Sequence, residues 1–354
     1  MKTIRTTPPR TVDVAAVFPE LAPLARTATR LHPRPGTPTP YDSSVGGPLL
    51  WPADEPWPHC DVPHEGGGSL LDVVRLEQRA RVRRAMTPDD PRAGDYTPEE
   101  SAAVQQAVQR FDWDHDESEL PVPLLPVAQL YARDVHLLRP PGRSEADLLQ
   151  VLWCPFDHPP DQWMPRTALF WRTAADVTEL LTAPPEPHVV ESEEYVPVPC
   201  VLAPEQVTEY PSLPDLSKEL QEQVKDWSRW EAAGARVDSG FAAYPESYYG
   251  SDLSVAPGWK FGGYSRWGYI DPSPRPCPAC GTEMDPLLTI ASTEGDSSQH
   301  SWIPYEDEPA ATSDQSHVRD LVHRPTAIQI ADLHAEQLYS CPRDPGHPHM
   351  ELMQ

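Results

Sequence analysis

The sequence is poor in basic residues and contains no long apolar run. Its 354 residues include 28 Lys and Arg against 54 Asp and Glu, which gives a formal net charge of −26. Because a surface this acidic repels the phosphate backbone, we do not expect nucleic-acid binding. No run approaches the ~18 apolar residues that a membrane-spanning helix requires, and no targeting segment is recognisable. We therefore expect a cytoplasmic protein without a membrane partner.

Common nucleotide-binding and hydrolase motifs are also missing. The chain contains no GxxxxGK[ST], no GxGxxG and no HExxH. Residues 263–268 resemble a nucleophile elbow only loosely, because the second glycine comes one place too late. The sequence thus identifies no catalytic residue, which favours a non-enzymatic protein.

Proline is the most unusual component of the composition. The chain has 46 prolines, and because proline interrupts helices and strand pairing, we expect short elements joined by long loops. The 11 Trp and 12 Tyr still supply large side chains for a core. A chain of this length usually exceeds a single core. We predict a strand-rich α+β fold with two lobes, residues 1–200 and 201–354.

Hydrophobic patterning gives a coarse element map. We predict a helical insertion in the first lobe at about 66–120, with an arginine-rich amphipathic helix at 70–86 and a capped helix starting at Thr97. An interrupted helix is predicted at 12–31 and an acidic helical connector at about 204–236. Strands are predicted at residues 123–131, 148–154, 167–171, 189–198, 285–291, 326–330 and 337–341.

Landmarks recur in the same order in the two lobes, which indicates an internal duplication. Gly46-Gly47 is followed by a cysteine 13 residues after the second glycine, and Gly262-Gly263 by a cysteine 14 residues after it. Each lobe also ends in an apolar strand that leads into Cys-Pro, at Cys154 and at Cys341. We therefore predict two pseudo-repeated halves.

The cysteines of the second half have the spacing of a zinc site. Cys277 and Cys280 are separated by two residues and followed by a glycine, so both thiolates can face one ion. Cys341 ends the last predicted strand, and His347 or His349 could complete a Cys3His set. Thiolates with one imidazole select zinc over calcium or magnesium.

The first half offers a parallel set of four donors. Cys60 and His64 have three residues between them, as do Cys154 and His158, which together would give a Cys2His2 site. The alternative is that the thiols are small buried core residues and the histidines are loop residues. With all ligands from the protein, one or two such zinc ions would be structural and not catalytic.

These features resemble the YwqG-like family of bacterial proteins, whose function is unassigned. The resemblance covers most of the chain at low density, and the proline-rich, acidic composition is similar to that of actinobacterial members. It implies a duplicated, strand-rich α+β fold and, through genomic association, a link to immunity proteins; it implies no catalytic residues. The residues that carry it are Val45-Gly-Gly-Pro-Leu-Leu-Trp-Pro, Phe261-Gly-Gly-Tyr, Cys277-Pro-Ala-Cys-Gly, Met284-Asp-Pro-Leu-Leu-Thr-Ile and Gln337-Leu-Tyr-Ser-Cys-Pro.

Two classes of function follow from this sequence. The first is a zinc-stabilised binding protein, such as an immunity or antitoxin-type inhibitor, that meets a basic protein partner with acidic residues 191–194 or 219–231. The alternative is an enzyme or small-ligand-binding protein with a pocket between the halves. The tryptophans that would line such a pocket are Trp51, Trp57, Trp259 and Trp267.

Overall fold

The chain has an α+β fold, as predicted, with antiparallel sheets and short helices. The computed structural model describes residues 4–64, 68–110, 121–159, 163–235, 244–268, 270–295 and 300–354. In this part of the chain, no helix is both long and apolar enough to cross a membrane.

The strands and helices are mostly short, as expected for a proline-rich chain. The strands are β1 (Arg26–Arg30), β2 (Arg34–Pro35), β3 (Ser44–Val45), β4 (His59–Cys60), β5 (Ser69–Leu70), β6 (Val122–Pro123), β7 (Leu125–Tyr131), β8 (Leu148–Cys154), β9 (Arg166–Arg172), β10 (Val189–Val190), β11 (Cys200–Val201), β12 (Glu205–Glu209), β13 (Lys260–Gly262), β14 (Asp285–Ala291), β15 (Ala335–Ser340) and β16 (Met350–Met353). The α-helices are α1 (Val14–Val17), α2 (Leu71–Met86), α3 (Pro98–Arg110), α4 (Lys218–Val224), α5 (Trp227–Ala232), α6 (Pro245–Tyr248), α7 (Glu308–Ala311) and α8 (Ser316–His323).

Two six-stranded antiparallel sheets organise the fold. The first sheet has the order β2-β11-β3-β7-β8-β9, and the second has the order β12-β1-β13-β14-β15-β16. The strands β4 and β6 form a separate two-stranded pair, as do β5 and β10. One hydrophobic cluster contains residues of both sheets, including Val127 and Val151 from the first and Leu288 and Ile290 from the second. The two sheets therefore share a core.

The sheets exchange strands between the predicted halves. Strand β1, near the N-terminus, pairs with β12 and β13 in the second sheet, whereas β11 pairs with β2 and β3 in the first. The chain thus crosses from the second sheet to the first between β1 and β2, and back between β11 and β12. The boundary at about residue 200 falls at the second crossing, and the division into two lobes stays a prediction.

The sequence landmarks occupy matching positions in the two sheets. The third strand of each sheet, β3 or β13, leads into a Gly-Gly pair, and the fifth, β8 or β15, leads to Cys154 or Cys341. The fourth strands, β7 and β14, each have a register shift directly after a proline, Pro126 and Pro286. These correspondences are consistent with a duplication, which itself stays a prediction.

The predicted helical insertion contains two helices in its described part. Helix α2 coincides with the predicted amphipathic helix, and α3 begins at the predicted cap. The backbone N–H of Glu100 donates to Thr97 Oγ1 at 3.1 Å, and the Glu100 carboxylate accepts from the N–H of Thr97 at 2.9 Å. This reciprocal capping box explains why the helix start was recognisable.

Several element predictions were wrong because tertiary pairing decides the local structure. Residues 26–30 and 205–209 were expected to be helical, but they form the paired strands β1 and β12. Only residues 189–190 of the predicted strand at 189–198 form a strand, and residues 326–330 form none. The predicted helical connector is confirmed only in part, by α4 and α5.

A buried ion pair joins Glu209 of β12 to Lys260 of β13, and it accounts for the glycine at position 263. Lys260 Nζ donates to Glu209 Oε1 at 2.7 Å and Oε2 at 2.8 Å, and both side chains are almost completely buried. Gly263 has φ +76°, and a Cβ there would lie 2.2 Å from Glu209 Oε2. Only glycine therefore allows the chain to pass this carboxylate. Burial lowers the pKa of Lys260.

Three of the four tryptophans that the alternative function placed at a cleft are core residues. Trp51 and Trp57 lie in one buried cluster and Trp259 in another. Trp267 is only partly buried and donates from its indole N–H to Asp215 at 2.7 Å. Burial of the first three rings contributes to stability.

Glu336 is a fully buried carboxyl group, and neither of its oxygens has a hydrogen-bond partner among the described residues. Burial, followed by the nearby charge of Glu351, raises its pKa well above the usual range. The folded chain therefore favours the protonated form of this carboxyl group, whereas the unfolded chain releases the proton near pH ~4.3. The stability that this site contributes is complete at low pH and is lost as the pH rises.

We predict that Glu336→Gln raises the free energy of unfolding, because glutamine cannot ionise in the unfolded chain. The gain should grow as the pH rises above the unfolded-state pKa of ~4.3, at no more than ~1.4 kcal/mol per pH unit. Urea denaturation at several pH values measures it. Glu351→Gln is the control: burial raises the pKa of Glu351, but hydrogen bonds from His349 and Thr167 outweigh burial and lower it, so this variant should lose stability at pH 7. An unchanged pH dependence in Glu336→Gln would contradict the assignment.

Candidate metal centres

Two pairs of segments bring the four donors of the first half together. Cys60 ends β4, which pairs with β6, and His64 follows in the next loop. Cys154 ends β8, and His158 follows four residues later. These four residues are called the first cluster. Their donor atoms all lie within 4.8 Å of one another.

The distances within the first cluster are short and nearly uniform. Cys60 Sγ lies 3.6 Å from His64 Nε2 and 3.4 Å from His158 Nε2. His64 Nε2 lies 3.3 Å from His158 Nε2 and 3.2 Å from Cys154 Sγ. Both histidines thus present the same ring nitrogen to a common centre.

These distances match the edges of a tetrahedron around zinc. With Zn–S of about 2.3 Å and Zn–N of about 2.0–2.1 Å, tetrahedral geometry separates sulfur from nitrogen by about 3.6 Å and two nitrogens by about 3.3 Å. Pairwise hydrogen bonds alone would not require all four ligand atoms to surround a common centre. The arrangement is therefore one that could hold a metal ion.

The first cluster is buried and enclosed by aromatic and aliphatic side chains. All four residues are at least nine-tenths buried, and the ring of His64 lies 4.7 Å from that of Phe156. The Nδ1 atoms of His64 and His158 have no hydrogen-bond partner among the described residues. Within the described residues, packing against neighbouring side chains orients these two rings, and hydrogen bonds to Nδ1 do not.

Proton affinities in the first cluster are strongly perturbed by the close approach of the two thiols. The hydrogen bond with Cys154 is the largest effect and lowers the pKa of Cys60, and His158 and His64 lower it further. The same contact raises the pKa of Cys154. One thiolate is thus available without a metal, and metal binding would release the proton of the other.

The second cluster consists of Cys277, Cys280, Cys341 and His347. Cys277 Sγ lies 3.4 Å from His347 Nδ1, and Cys280 Sγ lies 3.6 Å from Cys341 Sγ. All four donor atoms lie within 4.8 Å of one another. The sulfur–sulfur distance is close to the ~3.8 Å edge of a tetrahedral zinc–thiolate site.

A tight turn places the first two thiols of the second cluster. The N–H of Gly281 donates to Cys277 O at 2.8 Å, and the N–H of Cys277 donates to Thr282 O at 2.8 Å. Gly281 has φ +70°, a conformation that glycine adopts without strain. The glycine after Cys280 was the sequence signal for this turn.

The chain after β15 supplies the other two donors. Cys341 follows the last residue of β15, and the N–H of Arg343 points at its sulfur at 3.4 Å. An amide donor at this position stabilises thiolate charge. The sequence analysis did not predict this contact, because any residue other than proline supplies the same backbone N–H.

The structure distinguishes the two candidate histidines of the second cluster. His347 lies in the cluster, whereas His349 Nε2 lies 2.8 Å from Thr167 Oγ1 and 3.3 Å from Glu351 Oε1. His349 therefore connects β16 to β9 and is not close to the thiols.

The second cluster is more accessible than the first. Cys277 and Cys341 are buried, but Cys280 is exposed. Hydrogen bonds from Thr282 lower the pKa of Cys280 to about 6. The contact with Cys341 raises the pKa of His347. The exposed thiol is the point at which solvent and chelators reach this cluster.

The remaining cysteine belongs to neither cluster. Cys200 is fully buried, its thiol donates to Pro325 O at 3.4 Å, and burial raises its pKa. It is the kind of small core residue that the alternative interpretation assigned to Cys60 and Cys154. The difference is that Cys200 belongs to no group of three or more possible metal ligands in the described part of the chain.

Comparison with known proteins did not add a family to this description: no family model matches the chain, and no curated protein matches it. The geometry of the two clusters is therefore the basis for the functional argument that follows.

We predict that His347→Ala loses one metal equivalent per chain, whereas His349→Ala retains the metal content of the wild type. His347 would be a ligand, and His349 binds only Thr167 and Glu351. Metal analysis after passage over a competing chelator measures both variants. Equal metal content in the two variants would contradict the assignment of the fourth ligand.

Proposed function

We propose that this chain is a non-catalytic binding protein of the cytoplasm whose fold is stabilised by two structural zinc ions. The observation that carries the proposal is the convergence of two sets of four Cys and His donors at tetrahedral spacing. Five sulfurs and three nitrogens make up the donors, and soft thiolates with imidazoles favour zinc over magnesium or calcium.

The donor sets support a structural role in preference to a catalytic one. A catalytic zinc keeps one position for water or substrate, whereas each set here offers four protein ligands. The first cluster is also buried, so substrate has no route to its centre without rearrangement. The chemistry that zinc would supply here is cross-linking.

Each ion would connect segments that are distant in sequence. The first would join the loop at residues 60–64 to the end of β8, and the second would join the turn at residues 277–280 to the chain after β15. Structural zinc of this kind contributes on the order of 10 kcal/mol to folding in small domains. Proline-rich loops with little secondary structure gain most from such links.

The binding activity would reside on the acidic surface and would be directed at a basic protein, as in an immunity or antitoxin-type inhibitor. Glu219, Glu222 and Glu231 are exposed on α4 and α5, and Glu191 and Glu193 are exposed near β10. Together with the net charge of −26, these carboxylates would accelerate association with a basic partner.

We predict about two zinc ions per wild-type chain and about one in each of Cys60→Ser and Cys277→Ser. Cys200→Ser is the matched control, since it removes a buried thiol outside both clusters and should keep both ions. Metal analysis of the folded fraction, isolated by size-exclusion chromatography, gives the counts. A folded wild-type chain free of zinc would overturn the proposal.

For the partner, we predict that the tagged chain co-purifies one small basic protein from its source cells in low salt and loses it in high salt. The variant Glu219→Lys/Glu231→Lys should recover much less of that protein, because it reverses charge at the proposed contact. Asp89→Lys/Glu145→Lys, which reverses two carboxylates exposed elsewhere on the surface, serves as the control with an equal change of charge. Equal recovery by both variants would argue against α4 and α5 as the contact.

A further inference from the structure

A groove of about 880 Å³ lies between helix α2 and a set of proline-rich turns. It is separate from both metal clusters, since none of their residues lines it. Its volume is in the range of small-molecule sites. Three turns form the wall opposite α2, at residues 35–38, 46–48 and 196–199.

Proline accounts for both the existence and the chemistry of this groove. Seven of its lining residues are prolines, and the neighbouring strands β2, β3 and β11 have only two residues each. Because proline has no N–H, these walls cannot extend the sheet across the gap, and they offer few donors to a ligand. The apolar side chains of Leu125, Val196 and Val198 also line the groove. Such a surface suits an apolar body.

Helix α2 supplies cationic groups to the groove. Arg75, Arg79 and Arg83 follow one another at four-residue spacing, so they lie on one face of the helix. Arg75 forms a bidentate ion pair with Glu186, at 2.5 and 2.6 Å, and Arg83 pairs with Glu100 at 3.0 Å. These two charges are already matched within the chain.

Arg79 is the unmatched cation of this row. It is exposed, its Nε donates to Arg75 O at 3.3 Å, and no carboxylate of the described residues forms an ion pair with it. Of the three arginines, Arg79 is thus the one that forms no ion pair with a described carboxylate, and the charge of Glu100 acts on it only from a longer distance. A ligand that uses it needs one negative group beside an apolar portion.

We propose that this groove binds an amphiphilic monoanion of the fatty-acid class. Its carboxylate would lie at Arg79, and its apolar chain would lie along the proline-rich wall. An anion finds a charged donor in the guanidinium of Arg79, whereas the prolines of the walls offer it no N–H group. The apolar chain gains from burial against Leu125 and Val198. This inference does not rest on the zinc sites or on a protein partner.

The test uses decanoate below its micelle-forming concentration, with 1-decanol and decyltrimethylammonium as neutral and cationic probes of equal chain length. Isothermal titration of the wild-type chain should show one saturable site for decanoate and weaker binding of the other two. Arg79→Gln should weaken decanoate binding by about tenfold, as expected for loss of a hydrogen bond to a charged group.

Arg81→Gln is the matched control, because Arg81 lies on the same helix, is exposed, and does not line the groove. It changes the net charge equally and should leave decanoate affinity unchanged. Circular dichroism and metal content show that each variant is folded. The proposal is overturned by the absence of a saturable decanoate site, by equal affinity for all three probes, or by equal losses in the two variants.

Discussion

The close approach of thiols and imidazoles at the ends of β8 and β15 is the constraint on which the rest of this account depends. Cys154 and Cys341 lie at the ends of the fifth strands of the two sheets, where a strand passes into an irregular loop. Each meets a cysteine from a segment far away in sequence, Cys60 or Cys277. Packing alone does not explain either contact, because four possible metal ligands lie within 4.8 Å of one another in each cluster.

The two centres differ in a way that would matter for a metal-bound protein. The first is enclosed by Trp57, Phe156 and other core side chains, so an ion there would be shielded from solvent. In the second, Cys280 is exposed, and one side of the centre faces water. A buried tetrahedral site acts as a permanent cross-link, whereas an exposed one exchanges its ion more readily. The two centres would therefore differ in how readily they exchange a bound metal ion.

Much of the fold and most of the candidate site could be predicted from the sequence. Strands β8 and β14 and helix α2 were recognisable because their apolar patterns are local signals, and the start of α3 was recognisable from its capping box. The cluster residues were recognisable because CxxC and paired Cys and His spacings are characteristic of metal sites. The choice between His347 and His349 was not available from spacing, since both lie within reach of Cys341; the contact of His349 with Thr167 decides it.

The two wrong helix predictions share a physical cause: contacts with distant parts of the chain bury charged side chains. Residues 26–30 and 205–209 contain arginine and glutamate in patterns that suggest exposed helix. Yet Arg30 is fully buried and donates to Trp302 O, and Glu209 is paired with Lys260 inside the protein. Trp51, Trp57 and Trp259, which the alternative function placed at a cleft, are buried in the core. Local sequence does not reveal which charges find partners across the fold.

The central claim is tested most directly by X-ray absorption at the zinc edge of the purified chain. The account predicts tetrahedral zinc with five sulfur and three nitrogen ligands shared between two ions, at about 2.3 Å and 2.0–2.1 Å, and no bound water. A shell of oxygen and nitrogen without sulfur, or a folded protein with no zinc signal, would contradict it.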